Sequence, residues 1–141
     1  MDPKRIILAV VVVFVLLVVA GFLIHGLWLG STYQAMRNDG FSFRTPDALR
    51  HRLWLIWLGD LLYAILFVWV YLRGREDKPW VGQGVRYGVL MTLFTVVPSA
   101  LNEYAVYNLP HMLVVKWMVA GGAVLVILGL LVAALSQKKT A

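Results

Sequence analysis

The stretch LWLIWLGDLLYAILFVWVYL, Leu53–Leu72, decides the fold. It is apolar almost throughout, shows no strict two-residue alternation, and holds one carboxylate, Asp60. As a helix, a run of about 20 such residues matches the roughly 30 Å hydrocarbon core of a bilayer. In lipid, backbone N–H and C=O groups must be bonded within the segment or in a closed barrel. Barrel strands alternate over roughly ten residues, and this run does not. It reads as a membrane-crossing helix.

Three more runs repeat the pattern: Ile6–Leu29, Val85–Tyr107 and Met112–Leu135. The chain of 141 residues is 61% hydrophobic, whereas soluble domains are nearer half apolar. The expected fold is all-α: a polytopic membrane protein with four transmembrane helices in a bundle. A single membrane domain is expected over 1–141, with helices near 6–29, 46–72, 85–107 and 110–135. The first run is too long for a signal-peptide core, carries His25 and Trp28, and lacks a small-x-small cleavage site, so it reads as retained. The net charge of +6 lies in loops and at helix ends, where topology explains it; the expected partner is the lipid bilayer and not nucleic acid. With no cysteine, disulfide exchange, thiolate catalysis and thiolate-bound metals are excluded.

Basic residues orient the chain. Lys4, Arg5, Arg73, Arg75, Lys78, Lys138 and Lys139 share one side, against Arg37, Arg44, Arg50 and Arg52 on the other. This asymmetry predicts that both termini are cytoplasmic. Aromatic residues fit the frame. Trp28, Trp54, Trp57, Tyr104, Tyr107 and Trp117 fall near the outer helix ends, and Trp69, Tyr71, Trp80 and Tyr87 near the inner ends. Thr45-Pro46-Asp47 reads as a helix start, with a capping hydroxyl, a first-turn proline and a first-turn acid. Asn38-Asp39-Gly40 marks a turn in the first loop. That loop reads as a link, with a lid as the alternative.

Asp60 is expected roughly 10 Å below the outer surface. A charge at mid-bilayer costs roughly 2.5–3.5 kcal/mol on insertion scales, and aspartate is too short to reach far toward water. It should face protein or a wet cavity, on a helix face shared with Trp57, Tyr63, Ala64, Phe67 and Tyr71. On the third helix, Gly84, Gly88, Thr92, Thr95, Ser99, Asn102 and Glu103 fall within an arc of about 100°. Such a face packs closely against another helix, with Gly122 and Gly129 the small positions on the fourth, or it lines a wet path. His25, Asp60, Glu103, His111 and Lys116 share an approximate depth on four helices.

Three functional classes fit these residues. The first is a binding or accessory component of a membrane complex, as a homo-oligomer or with a membrane-protein partner. Gly26-x-x-x-Gly30, Gly122 and Gly129 would supply its contact faces. The second is a proton-coupled transporter or channel for a small solute, with Asp60 and Glu103 titrating and His25, Lys116 and Asn102 as partners. The third is metal or haem binding through His25 and His111. The cofactor is left open. Ser99 and His25 alone do not make a nucleophile with an oriented base, so an enzyme is not expected.

The stretches GFLIHGLWLGSTY (Gly21–Tyr33), WLIWLGDLLYAILFVWVYLRG (Trp54–Gly74) and GVRYGVLMTLFTVVPSALNEY (Gly84–Tyr104) resemble uncharacterised bacterial four-helix inner-membrane proteins. That resemblance implies a bacterial inner-membrane location and brings no assigned activity. Small multidrug transporters differ, because their membrane glutamate belongs in the first helix, which has none here.

Overall fold

The computed structural model describes residues 2–137. Lys138 and Lys139, counted above at the basic carboxyl end, lie outside them. The described chain is helix and loop, with four helices long and apolar enough to cross a membrane. They are Pro3–Trp28, Leu53–Gly74, Trp80–Val106 and His111–Leu135, the first to fourth spans. Two shorter helices, Gly30–Asn38 and Pro46–Arg50, lie between the first two spans.

Helix starts follow the local chemistry. The Asp2 carboxylate accepts from the Lys4 backbone N–H at 3.3 Å, and Pro3 opens the first span. Thr45 Oγ1 accepts from the Ala48 N–H at 3.3 Å and starts the helix at Pro46. That helix was predicted to run on to Leu72, yet it ends at Arg50, and the second span restarts at Leu53. Arg52 folds back over the break and donates from Nη1 to the Ala48 carbonyl at 3.0 Å, taking up a carbonyl that the break leaves without a helical partner. The third span starts at Trp80, earlier than the predicted Val85.

The first loop is more than a link. Its helix Gly30–Asn38 ends at Gly40, whose φ of 90° suits only glycine without strain. The Gly40 and Phe41 amides return to the Arg37 and Met36 carbonyls at 3.1 and 2.9 Å, a Schellman ending. Met36 and Leu29 are buried with Ala100, Leu109, Leu113 and Val114, and Tyr33, Phe41 and Phe43 pack against them. The loop helix thus lies over the ends of the third and fourth spans.

The third and fourth spans approach most closely. A Cβ on Gly84 would lie 2.7 Å from Leu130 Cα, and one on Gly88 would lie 2.6 Å from the Leu125 carbonyl oxygen. Gly129 faces both glycines across the seam. Backbone meets backbone there, an approach that small residues permit in membrane helices. The first span packs on the second and fourth. Ala9, Val13, Ala64, Phe67, Tyr87, Met91, Leu128 and Val132 form the core between them. Around this core Leu62, Leu66, Trp69, Leu93, Phe94 and Val119 remain exposed. That apolar perimeter matches a hydrocarbon surround.

Basic side chains finish the opposite end. Arg5 and Arg75 donate to the Gln137 and Ser136 carbonyls at 2.8 and 2.6 Å, where the fourth span's terminal carbonyls attract cations. Buried Gln83 locks the second loop. Its Nε2 donates to the Glu76 and Lys78 carbonyls at 2.8 and 2.6 Å, and its Oε1 accepts from the Glu76 N–H at 2.8 Å.

Two spans contain a wide, π-helical segment: Phe22–Trp28 in the first and Thr92–Val96 in the third. The Leu29 N–H reaches the Ile24 carbonyl at 2.8 Å, and the Val97 N–H reaches Thr92. In the third span Pro98 follows at once, and it has no N–H with which to continue the ladder of backbone bonds. One inserted residue turns the downstream face back by about 100° relative to a regular helix.

Candidate functional site: a polar cleft among four spans

A cleft of about 570 Å³ opens among the four spans on the half that carries the first loop. Its polar lining comes from His25, Asp60, Tyr63, Thr95, Ser99 and Glu103, with Trp117 beside them. Both π-helical segments contribute to its walls, through Ile24 and His25 and through Thr95 and Val96.

The base of the cleft is tied by Tyr63 Oη and Thr95 Oγ1, 3.3 Å apart. Thr95 commits its own proton to the Met91 carbonyl at 2.8 Å, so Tyr63 is the donor in that pair. Beyond this bond Phe67, Tyr87 and Met91 are buried. The Tyr87 hydroxyl donates to the Phe67 carbonyl at 2.5 Å, and the two rings meet edge to face with centroids 4.7 Å apart. The second and third spans are therefore joined by aromatic contacts at Phe67 and Tyr87 and separated by the cleft on the half that carries the first loop.

One wall is a hydrogen-bonded chain running down from the first loop. Trp117 Nε1 donates to Tyr33 Oη at 2.8 Å, and Tyr33 Oη lies 2.7 Å from His25 Nδ1. An indole can only donate. The phenol that accepts its proton satisfies all three groups by giving its own to Nδ1, which leaves the imidazole proton on Nε2. The Tyr33 and His25 rings lie nearly parallel, 14° apart with centroids at 6.0 Å, and Phe43 meets Tyr33 at 5.7 Å. Burial pushes the Tyr33 phenol above its ordinary range; the Trp117 bond opposes this, and the Glu103 charge adds to it.

Asp60 and Glu103 enter from different spans, and among the described residues no lysine or arginine lines the cleft. Among the described residues, the ion pairs involve only Glu76, at the opposite end. The remaining predicted residues lie elsewhere. Lys116 holds its ammonium over the Trp28 ring, 5.7 Å from the centroid, a cation–π contact. His111 is exposed at the start of the fourth span and is absent from the cleft lining, so His25 is not joined there by the second predicted ligand. Among the described residues no three His, Asp or Glu side chains gather closely enough to hold a metal ion.

The predicted face of the third helix divides in two. Gly84 and Gly88 meet Gly129, and a Cβ on Gly122 would touch Thr92 Cγ2 at 3.1 Å. The Thr92 hydroxyl turns back to the Gly88 carbonyl at 2.8 Å. Thr95, Ser99 and Glu103 instead face the cleft, whereas Asn102 is exposed outside it. Ser99, Asn102 and Glu103 all lie beyond the wide turn in the regular helix Val97–Val106, where Asn102 stands about 100° from Glu103 and falls outside the cleft.

Two participants were not assigned to the site from sequence. Tyr33 lies two helical turns beyond His25, across the break at Leu29, and no local pattern connects them. Trp117 was read as an interfacial aromatic, and its donor role depends on where the loop helix places Tyr33. Comparison with protein-family models, curated proteins and solved structures found no match.

Proposed function

We propose that this chain is a membrane-embedded binding component, a four-helix bundle with both termini cytoplasmic, whose cleft takes a small organic cation from the opposite side. The observation that carries this reading is that Asp60 and Glu103 line one cleft with no lysine or arginine among the described residues of its lining. Two carboxylates without a cation attract one electrostatically. The Tyr63 and Trp117 rings add faces suited to an alkylammonium group. His25 and Ser99 supply hydrogen-bonding groups that orient the bound molecule. In an accessory subunit, such a site would couple ligand binding to a partner packed against the exposed apolar perimeter.

Transport through the same carboxylates is the second reading. The packing of Phe67, Tyr87 and Met91 beyond the Tyr63–Thr95 bond favours a site open on one side over a continuous path. The test is thermal unfolding of the purified protein with tetramethylammonium, choline and a linear diamine, each against a neutral isostere. At least one cation should raise the midpoint, and a folded Asp60→Asn variant should lose that rise. Equal effects of cations and neutral isosteres would sink the proposal. A pH-driven flux in proteoliposomes that Asp60→Asn abolishes would move the assignment to transport.

A further inference from the structure

At the basic end, away from the cleft, a second hollow of about 350 Å³ lies between the second and third spans. Its walls are of two kinds. Arg75 and Arg86 supply its charged lining, Tyr71, Gly74, Gln83 and Tyr87 line it beside them, and Val70 and Leu90 form its apolar side. Val70 and Leu90 are 39% and 59% exposed and belong to the perimeter that faces hydrocarbon.

The charge of this lining is incompletely balanced. Arg75 donates to the Ser136 carbonyl, a neutral acceptor, and among the described residues it forms no ion pair. Arg86 Nη2 lies 3.3 Å from Glu76 Oε1, and Lys78 pairs with the same carboxylate. Residues 73–86 carry Arg73, Arg75, Lys78 and Arg86 against Glu76 and Asp77, a balance of 4 − 2 = +2. Arg73 is drawn away over the Trp69 ring, 5.1 Å from its centroid, which leaves Arg75 and Arg86 as the charged lining.

We propose that this hollow binds an anionic phospholipid, its phosphate between Arg75 and Arg86 and an acyl chain along Val70 and Leu90. Guanidinium groups match phosphate oxygens in both charge and planar geometry. Basic pockets between membrane helices are suited to anionic headgroups, and each basic residue near the surface contributes about 1 kcal/mol. The apolar wall selects a lipid over free phosphate, because a soluble anion would leave Val70 and Leu90 uncovered. This site stands independently of the cleft and of any cation bound there.

The test is native mass spectrometry of the full chain in detergent, titrated with phosphatidylglycerol and with phosphatidylcholine of identical acyl chains. Phosphatidylglycerol should be retained preferentially, and Arg75→Gln/Arg86→Gln should lower its retention by about 25-fold, or about fivefold per arginine, the equivalent of about 1 kcal/mol each. Arg50→Gln/Arg52→Gln, at the other end of the second span, should leave it unchanged. Arg75 also caps a helix end. If the double variant does not fold, Arg86→Gln alone, whose side chain is exposed, should still produce about a fivefold loss. Equal retention of the two lipids, or an unchanged preference in folded Arg86→Gln, would overturn the proposal. Displacement of the lipid by soluble glycerophosphate would overturn the lipid assignment in favour of a free phosphate site.

Discussion

Tyr33 Oη joins the loop helix to the first and fourth spans: it receives the Trp117 proton and contacts His25 Nδ1. Tyr33→Phe keeps the ring and removes both bonds, at about 1 kcal/mol of stability per lost bond. Unfolding in detergent should show that loss, and an unchanged midpoint would mean the chain of bonds contributes nothing. The phenol also gives a pH signature. Its folded value lies above the ordinary value of about 10. Its contribution is therefore complete below that ordinary value and is lost as pH rises through the folded one. The difference in ultraviolet phenolate absorbance between wild type and Tyr33→Phe should titrate above the ordinary range; titration at or below it would contradict the buried, hydrogen-bonded placement. At this scale Asp60 could be singled out in advance, because an aspartate inside a hydrocarbon-length run is conspicuous by transfer energy alone. Tyr33 could not, since a tyrosine in a polar loop carries no such signal.

Among the elements, the seam between the third and fourth spans makes the sharpest prediction. Gly88→Ala directs a methyl at the Leu125–Val126 backbone, which cannot rotate aside. It should destabilise the protein by about 1–3 kcal/mol, read as a lower unfolding midpoint by circular dichroism in detergent. Gly82→Ala, with nothing within 4 Å of its Cβ, should be neutral or slightly stabilising through helix propensity. Equal effects of the two substitutions would refute close backbone packing. The second loop carries a different test. Lys78's hydrogen bond, reinforced by the charges of Arg86 and Lys78, holds the Glu76 carboxyl below the usual carboxylate range. A depressed folded value means that its contribution is present above the unfolded value, about 4.3, and lost as pH falls through the folded one. Loop amides at Glu76–Lys78 should lose hydrogen-exchange protection on acidification below that range, after correction for the intrinsic rate, and Glu76→Gln should abolish the transition. The small-residue stripe of the third helix was readable as a helical period. Its division between a packing seam and a cleft wall was not, because the wide turn at Thr92–Val96 breaks the period that the reading assumes.

For the whole molecule, the orientation proposal can be checked directly because the chain has no cysteine. Ser42→Cys should react with an impermeant maleimide applied from outside intact cells. Asp77→Cys should react only after permeabilisation, and the reverse pattern would invert the assignment. The location of the four spans needed no tertiary information. Transfer from water to hydrocarbon is nearly additive along a chain, so each run of about 20 apolar residues declares itself. Exclusion of thiol chemistry was equally local. The common depth of His25, Asp60 and Glu103 could also be counted along the helices, but depth leaves the rotation of each helix undetermined. Rotation and separation follow from contacts: glycines that let two backbones meet, wide turns that reset a face, and a loop helix that carries Tyr33 to His25. None of these has a counterpart in the hydropathy of any one segment, and together they gather the polar residues into one cleft while leaving Asn102, His111 and Lys116 outside it.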